Sequence, residues 1–361
     1  MHLSTQVSAA AAAEPQILPL SYSRGYKKTQ HSFIYDGNEI KQSQHPILGF
    51  SEEVHVEYTV QLVDCGLLLF QNQDNLFLCN PLRGEVLELP QPLPVPSEVT
   101  VRYGIGFDST IRSYKIVRVG RELSALRKVQ IEVYTLGSPS WRVICPPESF
   151  SLKPVYPFDG LSAFGVIHWR KWDGRRKKAC IISFDVKDEE FKETPLPDFG
   201  CPRKHIRQFN LTNLRGFLAV VSFPSSAHLE IWMLKDYQKK EWIREYKIST
   251  QVWERGPYKW ARGPYNIPPR VANFRFWGSS DMGACSQGLV FAESFGHCKV
   301  VDLQNKCIWD MKLPEGYNES DRRTFSYTGS ILSLRNFGNP IAEIPHKYRF
   351  LKTARTVYAS P

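Results

Sequence analysis

The sequence predicts an all-β fold, a β-propeller-like array of antiparallel blades, on three observations. Short runs of alternating apolar residues recur along most of the chain, Pro or Gly closes each run, and no amphipathic helix separates them. Composition agrees: 13% aromatic residues with nine Trp, together with 25 Pro and 23 Gly, suit many short strands joined by tight turns. At 361 residues and 42% hydrophobic, the chain can bury a sizeable core as one large β domain or two smaller ones.

The elements follow in order. Residues 1–22 precede the strand rhythm; their Ala-rich piece at 9–13 reads as a helical end stopped by Pro15. Residues 67–70 and 76–79 read as a hairpin closed by Asn80, Pro81 and Gly84. Strands are expected over 113–119, 129–136 and 141–145, separated by the charged loop around Arg121 and by Gly137. The pairs 164–169 with 179–186 and 217–223 with 229–234 follow, and a last set covers 289–292, 299–303 and 330–334. Strand groups recurring every several tens of residues point to a repeat architecture. Each blade has two apolar faces and must stack on its neighbours around a channel. The repeats are too degenerate to count blades.

A formal net charge of +10 favours acidic partners, yet no basic stripe or dense basic helix appears, so nucleic acid is not the expected partner. Cys65, Cys79, Cys145, Cys180, Cys201, Cys285, Cys298 and Cys307 are scattered without C-x-x-C spacing, which argues against zinc or redox motifs and for thiols of a reduced compartment. No apolar run is long enough to span a bilayer, and residues 9–13 lack the flanks of a signal peptide. A cytoplasmic or nuclear protein without membrane attachment is expected.

No residue pattern assigns a catalytic, cofactor or metal site, and the chain is expected not to be an enzyme. Gly104-Ile105-Gly106 lacks the third glycine of a nucleotide loop, since Ser109 stands there, and no helix follows; it reads as a tight strand entry. His168 beside Trp169 lies mid-strand with no nucleophile or carboxylate at motif spacing and reads as blade packing. Asp108 and Asp185 each follow Phe at a strand end and read as turn caps. His297-Cys298 has no second ligand pair nearby. Two segments are candidates for recognition. Arg170, Lys171, Arg175, Arg176, Lys177 and Lys178 form a basic patch around the Asp173-Gly174 hairpin turn, as a solvated tip, an import signal or a docking site for an acidic partner. The long Pro-rich stretch 252–283 interleaves Trp253, Tyr258, Trp260, Tyr265 and Trp277 with Arg255, Arg262 and Arg270, a mixture enriched at interaction hot spots.

Several segments together carry a family resemblance. Cys79-Asn80-Pro81 with Gly84 and Leu89-Pro90, Tyr103 to Asp108 followed by Tyr114-Lys115-Ile116-Val117, and Val133-Tyr134 with Ser140-Trp141-Arg142 resemble successive elements of the plant F-box-associated domain. So do Gly165-Val166-Ile167-His168-Trp169, Ile182-Ser183-Phe184-Asp185 with Leu196-Pro197, Leu229 to Leu234 with Trp242, and Tyr327 to Leu334. Their order and spacing over about four fifths of the chain carry the resemblance. It implies a kelch-like propeller spanning 23–345, with a tail at 346–361, that captures a protein substrate for ubiquitination. Met1-His2-Leu3-Ser4 resembles the stretch that follows the helical F-box in this family, so the chain is expected to begin after that element. Skp adaptor and cullin are then expected partners only where an F-box lies upstream. The alternatives from other classes are an enzyme on a propeller scaffold, such as a kelch-type oxidase or glycosidase, and a basic nucleic-acid-binding domain.

Overall fold

The computed structural model describes residues 16–21, 29–30, 33–35, 40–42, 48–49, 59–71, 75–80, 83, 85–94, 99–122, 129–145, 160–173, 178–200, 209–225, 228–249, 289–294, 297–303, 306–311, 322–327, 330 and 332–338. The first strands are β1 (Gln16–Ser21), β2 (Thr29–Gln30), β3 (Phe33–Tyr35), β4 (Ile40–Gln42) and β5 (Leu48–Gly49), with β2 and β5 paired as a small ribbon. Next come three four-stranded antiparallel sheets: β6 (Thr59–Asp64), β7 (Leu67–Gln71), β8 (Leu76–Asn80) and β9 (Glu85–Leu89); β10 (Val99–Asp108), β11 (Ser113–Glu122), β12 (Val129–Thr135) and β13 (Arg142–Ile144); β14 (Leu161–Ala163), β15 (Val166–Asp173), β16 (Lys178–Asp185) and β17 (Phe191–Thr194). A fourth holds β18 (Phe209–Leu214), β19 (Phe217–Ser225), β20 (His228–Asp236) and β21 (Glu241–Ser249), and a three-stranded sheet holds β22 (Leu289–Ser294), β23 (His297–Asp302) and β24 (Cys307–Met311). The last strand, β25 (Arg322–Tyr327), returns to the beginning: it pairs antiparallel with β1, Gln16 opposite Tyr327 and Ser21 opposite Arg322, in a sheet ordered β25-β1-β3-β4. Six sheets of three or four strands thus follow one another as blades among the described residues, each an up-and-down meander in chain order except the one that joins the two ends of the chain.

The core lies between consecutive blades, and strand alternation sets it. On β11, Ile116 packs with Leu69, Leu78 and Leu87 of the preceding blade, while the adjacent Val117 packs with Ile167 and Phe184 of the following one. On β19, Leu218 and Val220 join Phe209 and Ile181 on one side, and Ala219 and Val221 join Leu229, Ile231 and Val301 on the other. Central strands buried on both faces read as continuous apolar runs, as in Leu-Leu-Leu-Phe of β7. Gly104 and Gly106 let β10 approach the next blade: a Cβ at Gly104 would collide with Ile167, and one at Gly106 would come within 2.5 Å of Val186. Close packing is therefore their role here.

Repeated polar contacts tie neighbouring blades. The Trp141 indole N–H donates to Pro90 O at 2.7 Å, and the Trp242 indole N–H donates to Pro195 O at 3.0 Å, the same outer-strand Trp to inter-blade Pro contact in two blade pairs. Two expectations need correction. The described residues of 330–334 are not in a strand: Leu334–Phe337 is a 3-10 turn, and the backbone ahead of it is held by side chains, the Asn80 amide donating to Ser330 O at 2.8 Å and Leu332 O at 2.6 Å. The expected boundary after residue 22 does not hold for Gln16–Ser21, which is a strand of the sheet and the partner of β25. Among the described residues no helix is long and apolar enough to cross a membrane.

Candidate interaction surface

The meander sorts the turns onto two rims. Gly160 N donates to Tyr103 O at 2.7 Å, and Gly165 sits against Phe107 O, so β10 and β14 run side by side in the same direction. The turns β6–β7, β10–β11, β14–β15, β16–β17, β18–β19 and β20–β21 therefore share one rim, here the hairpin rim. The facing ends of β15 and β16, and the end of β21 and start of β22, lie at the other.

Of the basic patch, Arg170 and Lys171 on β15 are built into the fold. Arg170 donates to Phe209 O and, at 3.3 Å, to the Asn210 side chain, with its guanidinium 5.5 Å from the Phe209 ring, so it clamps one blade to the next. Lys171 is buried, and the Lys178 backbone stands opposite that of Asp173 in the β15–β16 register. Arg175, Arg176 and Lys177 lie outside the described residues, as does the whole recognition stretch with Trp253, Arg255, Tyr258, Trp260, Arg262, Tyr265, Arg270 and Trp277.

His168 is fully buried. Its Nδ1 lies 2.8 Å from Ser183 Oγ, which lies 2.8 Å from Thr194 Oγ1, and its Nε2 is 3.3 Å from Ala163 O. With Nε2–H donating to the carbonyl, Nδ1 accepts from Ser183, whose oxygen accepts from Thr194; the row is complete with a neutral imidazole. Burial pushes its pKa down to about 3, against the pull of the Ala163 carbonyl. Asp108 and Asp185 cap turns: Asp108 Oδ1 accepts from Thr110 N at 2.9 Å and Asp185 Oδ1 from Lys187 N at 3.0 Å and Asp188 N at 3.1 Å.

Sequence reasoning missed a cluster on the hairpin rim. Three inner hairpins turn in two residues, Cys65-Gly66, Phe164-Gly165 and Arg215-Gly216, with both residues at positive φ (54° and 69°, 58° and 71°, 56° and 84°). Asn-Gly or Asp-Gly is the ordinary chemistry of such a turn. Here the first positions hold Cys, Phe and Arg, and Phe164 remains 41% exposed. Its ring stacks on Tyr237 at 5.7 Å and meets Phe217 edge-on at 5.8 Å, both from the next blade. Lys240 Nζ lies 3.2 Å over the Tyr237 ring and Lys235 Nζ 4.8 Å over Phe217. Partial burial, then the neighbouring charge of Lys192, holds Lys240 below the usual lysine range. Lys235 pairs with Glu245 at 3.2 Å; among the described residues neither Lys240 nor Arg215 has a carboxylate partner. The signal in the sequence was Phe-Gly between two apolar runs, a bulky aromatic where the turn favours Asn.

Residues 23–259, well over half the chain, match the model of the F-box associated beta propeller domain. Among curated proteins, F-box protein At3g07870 of Arabidopsis thaliana is 29% identical over 217 residues, covering 52% of this chain and 50% of that protein. F-box protein At1g47810 of the same plant is 27% identical over 238 residues (64% and 59%), and its F-box/kelch-repeat protein At3g23880 is 25% identical over 213 (56% and 55%). The chain spans about half the length of the curated relatives it matches.

Proposed function

Because the chain belongs to the F-box associated β-propeller family, we propose that it is the client-recognition part of a ubiquitin-ligase receptor: a rigid propeller that captures a protein and, where an F-box is carried on the same polypeptide, presents it to a Skp adaptor and cullin. The observation that carries this reading is the family match over residues 23–259, which runs through five of the six blades. The physical support is the division of labour in the fold. Apolar inter-blade packing makes a stiff scaffold, while turns and connections at the rims are free to vary in sequence without loss of stability. Chemistry on the captured protein would belong to other ligase subunits. Among the described residues, His168 is sealed in the core with both ring nitrogens engaged. The setting of such a receptor is the cytoplasm or nucleus.

The test is to express the chain with an F-box joined to its N-terminus, label neighbouring proteins by proximity, and compare ubiquitin-bearing peptides with and without the F-box. A small set of proteins, labelled in both cases but ubiquitinated only with the F-box, is expected. If no specific protein is recovered in either case, the reading fails.

A further inference from the structure

We propose that the aromatic and lysine cluster on the hairpin rim, built from Phe164, Phe217, Tyr237, Lys240 and Arg215, is a docking surface for an acidic segment of a client protein that carries an apolar or aromatic anchor. The inference rests on the client-recognition reading and names the surface and the chemistry of the partner.

Four observations converge. First, the backbone does not ask for Phe164. Cys65 and Arg215 occupy the same left-handed position in two other blades, so the fold imposes the conformation and leaves the residue type free. A bulky aromatic there is disfavoured relative to Asn or Gly. Second, the ring is left exposed at a tip while supported from behind by Tyr237 and Phe217 of the adjacent blade, so it is held in place without being covered. A rigid, half-exposed aromatic is the residue type that dominates binding energy at protein interfaces. Third, two cations lie over these rings, Lys240 over Tyr237 and Lys235 over Phe217, and Arg215 stands on the turn that leads into Phe217, while the nearby Asp236 carboxylate is engaged by the amides of its own turn and by Lys239. Lys240 is drawn close to an aromatic face and lacks a carboxylate, so an incoming carboxylate would supply the missing counter-charge. The net charge of +10 would steer acidic partners towards it. Fourth, the C-terminal segment 330–338 crosses the same rim over earlier blades, where it contacts Asn80, Glu85, Leu87 and Gly137, and Phe164 keeps its exposure beyond it.

Binding would be read by fluorescence anisotropy of a labelled glutamate-rich peptide with one central Phe, its lysine-rich counterpart, and a single-stranded oligonucleotide. Wild-type chain is compared with Phe164→Asn, with the pair Arg215→Glu and Lys240→Glu, and with Lys306→Glu, an exposed lysine between β23 and β24 in another blade. The expected result is that the acidic peptide alone binds, that Phe164→Asn weakens it about thirtyfold as for an aromatic hot spot, that the charge-reversed pair abolishes it, and that Lys306→Glu leaves it unchanged. Asn suits the turn, so Phe164→Asn should keep its thermal unfolding within a few degrees of wild type. Equal binding of the acidic peptide by wild type and Phe164→Asn, or no binding by wild type, overturns the proposal. Tighter binding of the oligonucleotide through the same residues overturns it in favour of a nucleic-acid surface. Capture from cell extract separates the two levels of inference. Specific clients retained equally by wild type and both cluster variants sink this surface and leave the recognition reading standing, whereas no client with any form sinks the recognition reading itself.

Discussion

Lys115 is a buried cation whose three ammonium protons are all accounted for: Asp108 Oδ2 at 2.8 Å, Glu189 Oε1 at 3.0 Å and Val186 O at 2.8 Å. It joins β11 to the β16–β17 turn of the next blade. Burial alone would raise the Asp108 carboxyl; the bonds from Lys115 and Thr110 outweigh it and hold the pKa at about 2. Lys115→Met would leave buried Asp108 without its counter-charge and is expected to cost about 3–5 kcal/mol in urea unfolding. Arg142→Ala, which removes the largely exposed partner of Glu189, should cost about 0–1 kcal/mol. Equal costs would show that the buried contact is not the stronger lock. The folded pKa of Asp108 lies below its unfolded value near 3.8, so its contribution is complete above pH 4 and is lost as pH falls towards 2. His168 acts over a different window. Its folded pKa, about 3, lies below the unfolded value near 6.5, and the folded form is neutral. The unfolded chain therefore binds the extra proton between those values, and stability falls as pH drops from 6.5. In His168→Phe the urea midpoint should be lower at pH 7, since Ser183 and Ala163 lose a partner, yet decline less between pH 7 and 5 than in wild type. An unchanged slope would assign the acid sensitivity to other groups.

At the scale of elements, the segment 330–338 shows how a side chain can replace a strand partner. Asn80 donates to two of its carbonyls, and Glu85 accepts from Leu334 N at 2.6 Å and from the Ser333 hydroxyl at 3.2 Å. Asn80→Ala is expected to destabilise by about 2–4 kcal/mol, through two carbonyls left unmatched. Hydrogen exchange at Leu334 should rise by more than tenfold while β11 amides keep their order of protection. If Leu334 exchanges as before, the clasp is not what holds the segment. These residues also show what was legible in the sequence. Ile-Leu-Ser-Leu alternates like a strand, but alternation records buried and exposed sides and carries no information about the bonding partner. β7, β8, β15, β16, β19 and β20 are legible, since each carries a run of apolar residues and is buried on both faces. The outer strands β17 and β21 are not: Phe-Lys-Glu-Thr and Glu-Trp-Ile-Arg-Glu-Tyr-Lys-Ile-Ser are mostly exposed and lack a buried stripe. The apolarity of Phe164 places it in a strand by sequence, and only the two-residue hairpin, which puts its ring at a tip, makes the exposed cluster legible.

For the whole molecule, closure of the ring is the property that no single blade contains. β25 contributes the innermost strand to a sheet whose other members come from the start of the chain, so the first and last blades cannot fold as an open stack without leaving strand edges bare. The two paired strands are separated by nearly the full length of the domain, and their pairing should form late and govern unfolding. A crosslink across it tests this. Directly opposite residues on antiparallel strands have Cα atoms about 4.5–5.5 Å apart, within the range a disulfide spans. Ile17 and Ser326 are such a pair. In Ile17→Cys with Ser326→Cys, oxidation closes a loop of roughly 300 residues, and chain entropy predicts up to about 5 kcal/mol of stabilisation. The unfolding temperature should rise on oxidation and return to that of the reduced form on adding dithiothreitol, with the 17–326 crosslink identified by peptide mass mapping. Deletion of residues 1–21 should act in the opposite sense and broaden the transition, as blades next to the opened seam lose their neighbours while the central ones persist. If the crosslink does not form, β1 and β25 are not partners and the ring is closed by another strand; if it forms without slowing unfolding, the seam is not where the propeller opens.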